Sequence, residues 1–196
     1  MMQHAPLFIV LLPVSAALLC MLFSRIQKNL GSWIVIGSIA AAFMSAVTVL
    51  QQVIADGGKP IHYWMGNWQP PLGIEFVIDP ISGVLAVLIT FISLLGSLYS
   101  LPFVKEEGWL HIGGYYTLYG LMTVGMCGMV ITGDVFNLYV FLEVMSLSGY
   151  GLIALGGKKS MLAAFRYLLI GTIGASLYLL GVGYMYALTG TLNMAD

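Results

Sequence analysis

Val135-Phe-Asn-Leu-Tyr-Val-Phe-Leu-Glu-Val-Met-Ser-Leu-Ser-Gly-Tyr-Gly-Leu-Ile-Ala-Leu155 is an apolar run whose single charged residue, Glu143, falls halfway along it. A helix needs about 20 predominantly apolar residues to cross the hydrocarbon core of a bilayer, and this run has that length. An ionised side chain at mid-membrane costs roughly 2.5–3.5 kcal/mol on insertion scales. Sequences that carry such a group most often use it in an ion or proton path. The alternative is a carboxyl that hydrogen-bonds a neighbouring helix and transports nothing.

The rest of the chain extends this reading. Of its 196 residues, 60% are hydrophobic and only 8% charged, with a mean hydropathy of +0.97. No soluble domain of this size could cover such a surface, and helix-length apolar runs exclude the alternating pattern of a transmembrane barrel. A net charge of −1 gives no case for nucleic acid. Cys20 and Cys127 both fall inside apolar spans, which suggests neither a disulfide framework nor a metal site. The first positive charge, Arg25, follows the first apolar stretch, so that stretch is expected to be a retained span rather than a signal peptide.

Six apolar segments qualify as crossings: Ala5–Phe23, Trp33–Leu50, Pro80–Val104, Tyr115–Thr132, Val135–Leu155 and Met161–Leu188. The expected fold is all-α, with six transmembrane helices. Ser32 is read as the start of the second span and Ser160 as that of the sixth. Asp79-Pro80 places a capping acid before a proline at the first helical position of the third. Gly133-Asp134 alone separates the fourth and fifth spans, which makes them antiparallel neighbours. Between the second and third spans, Ile61–Trp64 and Ile74–Ile78 can pair as a small β-hairpin, with Asp56 and Glu75 read as solvated surface charges. The chain thus divides into residues 1–54, the first two helices; 55–78, the outer loop or hairpin; and 79–196, helices three to six.

Basic residues sort by side. Arg25 and Lys28, Lys105, and Lys158 with Lys159 fall in alternate loops, against Lys59 alone on the opposite side. The positive-inside rule then puts both termini and the hairpin outside and the basic loops in the cytoplasm. Trp33, Trp64, Trp68 and Trp109 fall at the expected interfaces, as an aromatic belt requires.

On a helix, residues at i−4, i+3 and i+7 share a face with residue i. Around Glu143 these are Tyr139, Ser146 and Tyr150, hydroxyl-bearing residues, whereas the opposite positions are mostly apolar. Either they line a wet path or they form an interhelical hydrogen-bond patch. Burial disfavours the charged form of a carboxyl, and one held towards neutrality can take up and release a proton under working conditions. Arg166 is the only basic residue inside a span. Counted from the shared turn, it lies roughly 9 Å along the axis from Glu143, so water-mediated or field coupling is expected rather than a direct salt bridge. Snorkelling of Arg166 to the interface is the competing account. Asp134 is explained by helix capping, with an outer proton-access role as the minority reading. Small residues Gly171, Gly174 and Ala175 on the sixth span, and Gly125 and Gly128 on the fourth, are expected to permit close helix contact.

The run Thr132-Gly-Asp-Val-Phe-Asn-Leu-Tyr-Val-Phe-Leu-Glu-Val-Met-Ser-Leu-Ser-Gly-Tyr-Gly-Leu152 resembles the fourth-to-fifth helix region of antiporter-like subunits. These occur in Mrp-type cation/proton antiporters, complex I and membrane-bound hydrogenases. The tail Thr189-Gly-Thr-Leu-Asn-Met-Ala-Asp196 looks most like the D-type member of the Mrp antiporters and its hydrogenase relatives, and Gly73-Ile-Glu-Phe-Val-Ile-Asp79 fits the segment before their third helix. The resemblance implies that Glu143 matches an essential proton-pathway glutamate. It also implies that Arg166 stands where close relatives commonly carry lysine; arginine cannot release its proton in a protein, so it would act only as an electrostatic modulator.

Family members have about fourteen helices built around two inverted repeats, and this chain resembles helices one to six, an incomplete first half-channel repeat. The expectation is an N-terminal part, natural or truncated, that another chain must complete with the lysine-bearing seventh helix. The implied function is a multi-pass subunit, in the cell inner membrane, of a proton- or sodium-translocating complex. Its partners would be other membrane subunits, lipid, H+ and, as a second candidate, Na+. The alternative is a structural or assembly subunit. An independent redox enzyme is disfavoured, because no haem-ligand pair, cysteine cluster or dinucleotide fingerprint appears, and no cofactor is expected.

Overall fold

The computed structural model describes residues 4–27, 29–68, 70, 73–104 and 109–195, with Trp109 and Leu110 as backbone only. Lys28, Lys105, Asp196 and the Trp109 side chain, all used in the sequence reading, lie outside the described residues. Six helices follow in order: α1 (Ala5–Ile26), α2 (Leu30–Ala55), α3 (Pro80–Val104), α4 (Trp109–Ile131), α5 (Val135–Ala154) and α6 (Lys158–Thr189). Each is long and apolar enough to cross a membrane. Between α2 and α3, β1 (Ile61–Trp64) and β2 (Glu75–Ile78) pair antiparallel, with Ile61 opposite Ile78 and Trp64 opposite Glu75. All six expected spans and the hairpin are present, β2 one residue shorter than expected.

Two starts differ from expectation. α2 begins at Leu30 behind Asn29, and Ser32 is buried inside it, its hydroxyl donating to the Asn29 carbonyl at 2.7 Å. α6 begins at Lys158 behind Gly157, which has a φ of 101°; Ser160 lies within the first turn. In both cases the helix starts before the serine, so the serine is not needed as a cap.

The acidic starts hold. The Asp79 carboxylate accepts from the Ser82 backbone N–H at 2.7 Å, while the Asp79 N–H donates to the Ser82 hydroxyl at 2.8 Å. This reciprocal box closes the first turn of α3. Those hydrogen bonds, the Ser82 N–H foremost, hold the Asp79 carboxyl below the usual carboxylate range. Asp79→Ala is expected to destabilise the α3 start by about 1 kcal/mol. A depressed folded value means the cap is fully present above the unfolded carboxylate range and is lost as pH falls through the folded value. Hydrogen exchange at the α3 start, compared at neutral and acid pH, checks both statements.

α1 packs on α2 and α4, α2 on α3, α4 on α5, and α6 on α5. One buried cluster beneath the hairpin joins Ile9, Val49, Val53, Phe76, Ile78 and Ile131. A second, towards the basic loops, joins Cys20, Val35, Ile39, Ile112 and Tyr116. Large apolar side chains also face outward all along the bundle, for example Leu18, Leu88, Ile92, Ile170 and Ile173. Helices apolar on every side are those whose outer surface meets lipid or further helices.

Gly125 sets the α4–α5 contact. A Cβ there would sit 2.6 Å from the Met145 backbone nitrogen, which cannot move without displacing α5. Gly125→Val is expected to separate the two helices at an overpacking cost of about 1–3 kcal/mol. A cysteine cross-link across α4 and α5 that forms in the parent and fails in the variant would show it; unchanged cross-linking would refute the contact.

Candidate functional site

The hairpin end of the bundle is knitted from three distant segments. The Gly133 N–H donates to the Glu75 carbonyl at 3.0 Å, the Met194 N–H to the Gly133 carbonyl at 2.9 Å, and the Val135 N–H to the Leu192 carbonyl at 2.9 Å. The α4–α5 turn is thereby held between β2 and the segment after α6. Asp134, 9% exposed, caps α5 by accepting from the Asn137 N–H at 2.6 Å. The Asn137 side chain donates to the Thr132 hydroxyl at 2.9 Å.

Inside this knot lies Glu75, and here the expectation of a solvated surface charge fails. Glu75 is 4% exposed. One carboxylate oxygen accepts from the Asn193 amide at 2.8 Å. The other accepts from the Trp64 indole N–H at 3.2 Å and lies 3.4 Å from His62 Nδ1, a half-exposed partner. Alternation along β2 sends Phe76 and Ile78 into the core and Glu75 to the opposite face, and the C-terminal segment then covers that face. A cavity of ≈ 290 Å³ opens beside it, lined by His62, Glu75, Asp79, Thr132 and Asn193 among others. Among the described residues no group of His, Cys, Asp and Glu is arranged to hold a metal.

Glu143 lies about 12 Å along α5 from Val135, near the middle of the helix, and is partly buried. Tyr139 lies one turn nearer the hairpin on the same face of α5. Ser146 is partly buried and Tyr150 is 7% exposed. This face of α5 turns towards α6. The Tyr139 ring lies parallel to that of Tyr178, with centroids 6.2 Å apart and planes 7° from parallel. Tyr150 meets Tyr167 edge-on at 4.7 Å, and its hydroxyl occupies the space a Cβ on Gly171 would need. Gly171 thus seats Tyr150, whereas Gly174 has nothing close to it.

Those two ring pairs fix the register of α5 against α6 and place Glu143 level with residue 174. Arg166 is then two turns nearer the basic end, about 12 Å away along the axis. It is exposed, and among the described residues no ion pair joins it to Glu143. The structure thus sets Tyr139 and Tyr150 against α6 on either side of Glu143, with Arg166 apart. Asp134 sits at the hairpin end of the α5–α6 seam. Sequence reasoning missed Glu75 and also Tyr178, whose hydroxyl donates to the Val135 carbonyl at 3.2 Å.

Fold and site together define a multi-pass helical membrane protein with a carboxyl at mid-height of its fifth span. Residues 132–196, which include Glu143, match the family described as NADH:quinone oxidoreductase/Mrp antiporter, TM. The chain is 44% identical over 196 residues to the N-type chain of NADH-quinone oxidoreductase from Desulforudis audaxviator, covering 100% of this chain and 39% of that protein. It is 31% identical over 199 residues to the D-type chain of the Na(+)/H(+) antiporter from Alkalihalophilus pseudofirmus, again covering 100% of this chain and 39% of the relative. Among solved structures it superposes on a chain of the membrane-bound sulfane sulfur reductase, an archaeal respiratory membrane complex. That match has a TM-score of 0.90 and 34% identity, and covers 98% of this chain and 39% of the other. The chain therefore spans about two fifths of the length of the antiporter-like proteins it matches.

Proposed function

We propose that the chain is a membrane part of a proton- or sodium-translocating complex of the Mrp-antiporter or respiratory type, and that Glu143 takes up and releases a proton within it. The observation that carries this is the setting of Glu143: mid-height on α5, inside the family-matched residues 132–196, with Tyr139 one turn away on the same face. The basic residues support an orientation. Arg25, Lys158 and Lys159 lie at one end of the bundle and Lys59 with the hairpin at the other, so the hairpin and both described chain ends face outward from a cell inner membrane.

Arg166 acts on Glu143 through its field. Ser146 and Tyr150 keep the α5–α6 face polar. Its partners are other membrane subunits of the complex, with H+ as the transported ion and Na+ as a second candidate. Proton flux through the assembled complex carrying Glu143→Gln tests the reading: flux is lost if Glu143 is the relay, and normal coupling at normal assembly overturns it.

A further inference from the structure

We propose that His62 and Glu75 form a pH-sensitive clasp. A proton on His62 turns their contact into an ion pair and tightens the hold of the hairpin on the α4–α5 turn and on the segment after α6. The clasp goes beyond the proton chemistry of Glu143 and does not depend on it.

The geometry centres on one carboxylate. Trp64 lies directly opposite Glu75 in the hairpin register, and His62, two residues back on β1, shares its face of the strand. One Glu75 oxygen meets both, accepting from the Trp64 indole N–H at 3.2 Å and lying 3.4 Å from His62 Nδ1. The other accepts from the Asn193 amide at 2.8 Å, and the Glu75 carbonyl takes the Gly133 N–H at 3.0 Å. Glu75 thus ties β1 on one side to the α4–α5 turn and the C-terminal segment on the other.

The charges at this end make His62 the variable. Two carboxylates, Glu75 and Asp79, line the ≈ 290 Å³ cavity, and among the described residues His62 is the one lining group able to become a cation. Asp134, at the head of α5, turns its carboxylate to the Asn137 N–H. Asp56 and Lys59, in the turn before β1, are exposed. His4 shares a second opening with His62, where its ring meets the Tyr63 hydroxyl at 3.0 Å.

Imidazole is the side chain that ordinarily changes charge between about pH 5 and 8. When neutral, His62 offers Glu75 one hydrogen bond or, in the other tautomer, a lone pair. When protonated, it offers a charged donor, and such hydrogen bonds are the stronger ones. The clasp is therefore tightest between the ordinary carboxylate and imidazole ranges, about pH 4.5 to 6, and loosens as pH rises through the imidazole range. The His62 side chain is 46% exposed, so protons reach it from solvent, and water screens the pair enough to keep the effect to a few-fold.

Hydrogen exchange of the purified complex reads the knot at the Gly133, Val135 and Met194 amides, which donate between its segments. Protection is compared at about pH 5.5 and about pH 7.5, on either side of the imidazole range, after correction for the intrinsic pH dependence of exchange. It is expected to be about two- to fivefold higher at the acid pH. His62→Gln keeps a hydrogen-bonding group that does not titrate, and is expected to show the neutral-pH protection at both values. His62→Lys fixes the charge and is expected to hold the acid level at both. His4→Gln is expected to keep the dependence of the parent. Equal protection at the two pH values in the parent, or a dependence that survives in His62→Gln, overturns the clasp.

Discussion

Glu143→Gln is expected to abolish proton translocation while leaving the complex assembled. Glutamine has nearly the same shape, so the packing of α5 on α6 is kept. What it lacks is an acid that can ionise. Positioned acid–base groups typically contribute 10²–10⁴-fold to a proton transfer, so flux should fall by about two orders of magnitude or more. Glu143→Asp should retain part of it, because the acid remains but is drawn one methylene back. A purely structural carboxyl predicts the reverse pattern. Glu143→Ala would then lower the yield of complex, and Glu143→Gln would be nearly silent.

Glu75→Ala is the second large expectation, and it concerns folding. The substitution strands the Asn193 amide and the Trp64 indole N–H, both now satisfied by the carboxylate, and removes the partner of His62. A fully buried donor left unpaired costs about 1–3 kcal/mol; Asn193 is partly buried and Trp64 exposed, so the cost here is at the low end, and it falls where hairpin, α4–α5 turn and C-terminal segment meet. The segment after α6 should detach first. Limited proteolysis of the purified protein should cut near Asn193 far faster than in the parent, and the melting temperature should drop. Glu75→Gln, with one carbonyl acceptor left, should be intermediate. Proteolysis at the parent rate in Glu75→Ala would show that the knot is held by its backbone hydrogen bonds alone.

The six crossings were legible because bilayer thickness imposes a length that composition alone reveals. The caps at Asp79 and Asp134 were legible because a capping carboxylate acts within three residues of itself. The hairpin showed in its strand-forming runs. Legibility ends where partners are distant in sequence. Glu75 reads as a surface charge until Asn193, 118 residues on, folds over it. Its strand alternation points it away from the core, and nothing local indicates a second cover. Tyr178 is one of several hydroxyls on α6, and its acceptor lies 43 residues back on α5. Its proximity to Tyr139 depends on the α5–α6 register, which no spacing within α6 encodes. Ser32 and Ser160 show the opposite failure, where a local signal is present but the helix begins earlier. The 9 Å axial offset expected between Glu143 and Arg166 assumed equal depths from the shared turn; the tyrosine pairs set it nearer 12 Å, and either value keeps the two apart.

The central claim is that the Glu143 carboxyl changes protonation state during turnover. Infrared difference spectroscopy of the working complex, with Glu143→Gln to assign the signal, measures this directly. The predicted result is a protonated-carboxyl band that rises and decays within each cycle and is missing from the variant. A Glu143 carboxyl that stays ionised, or stays protonated, throughout turnover would contradict the account.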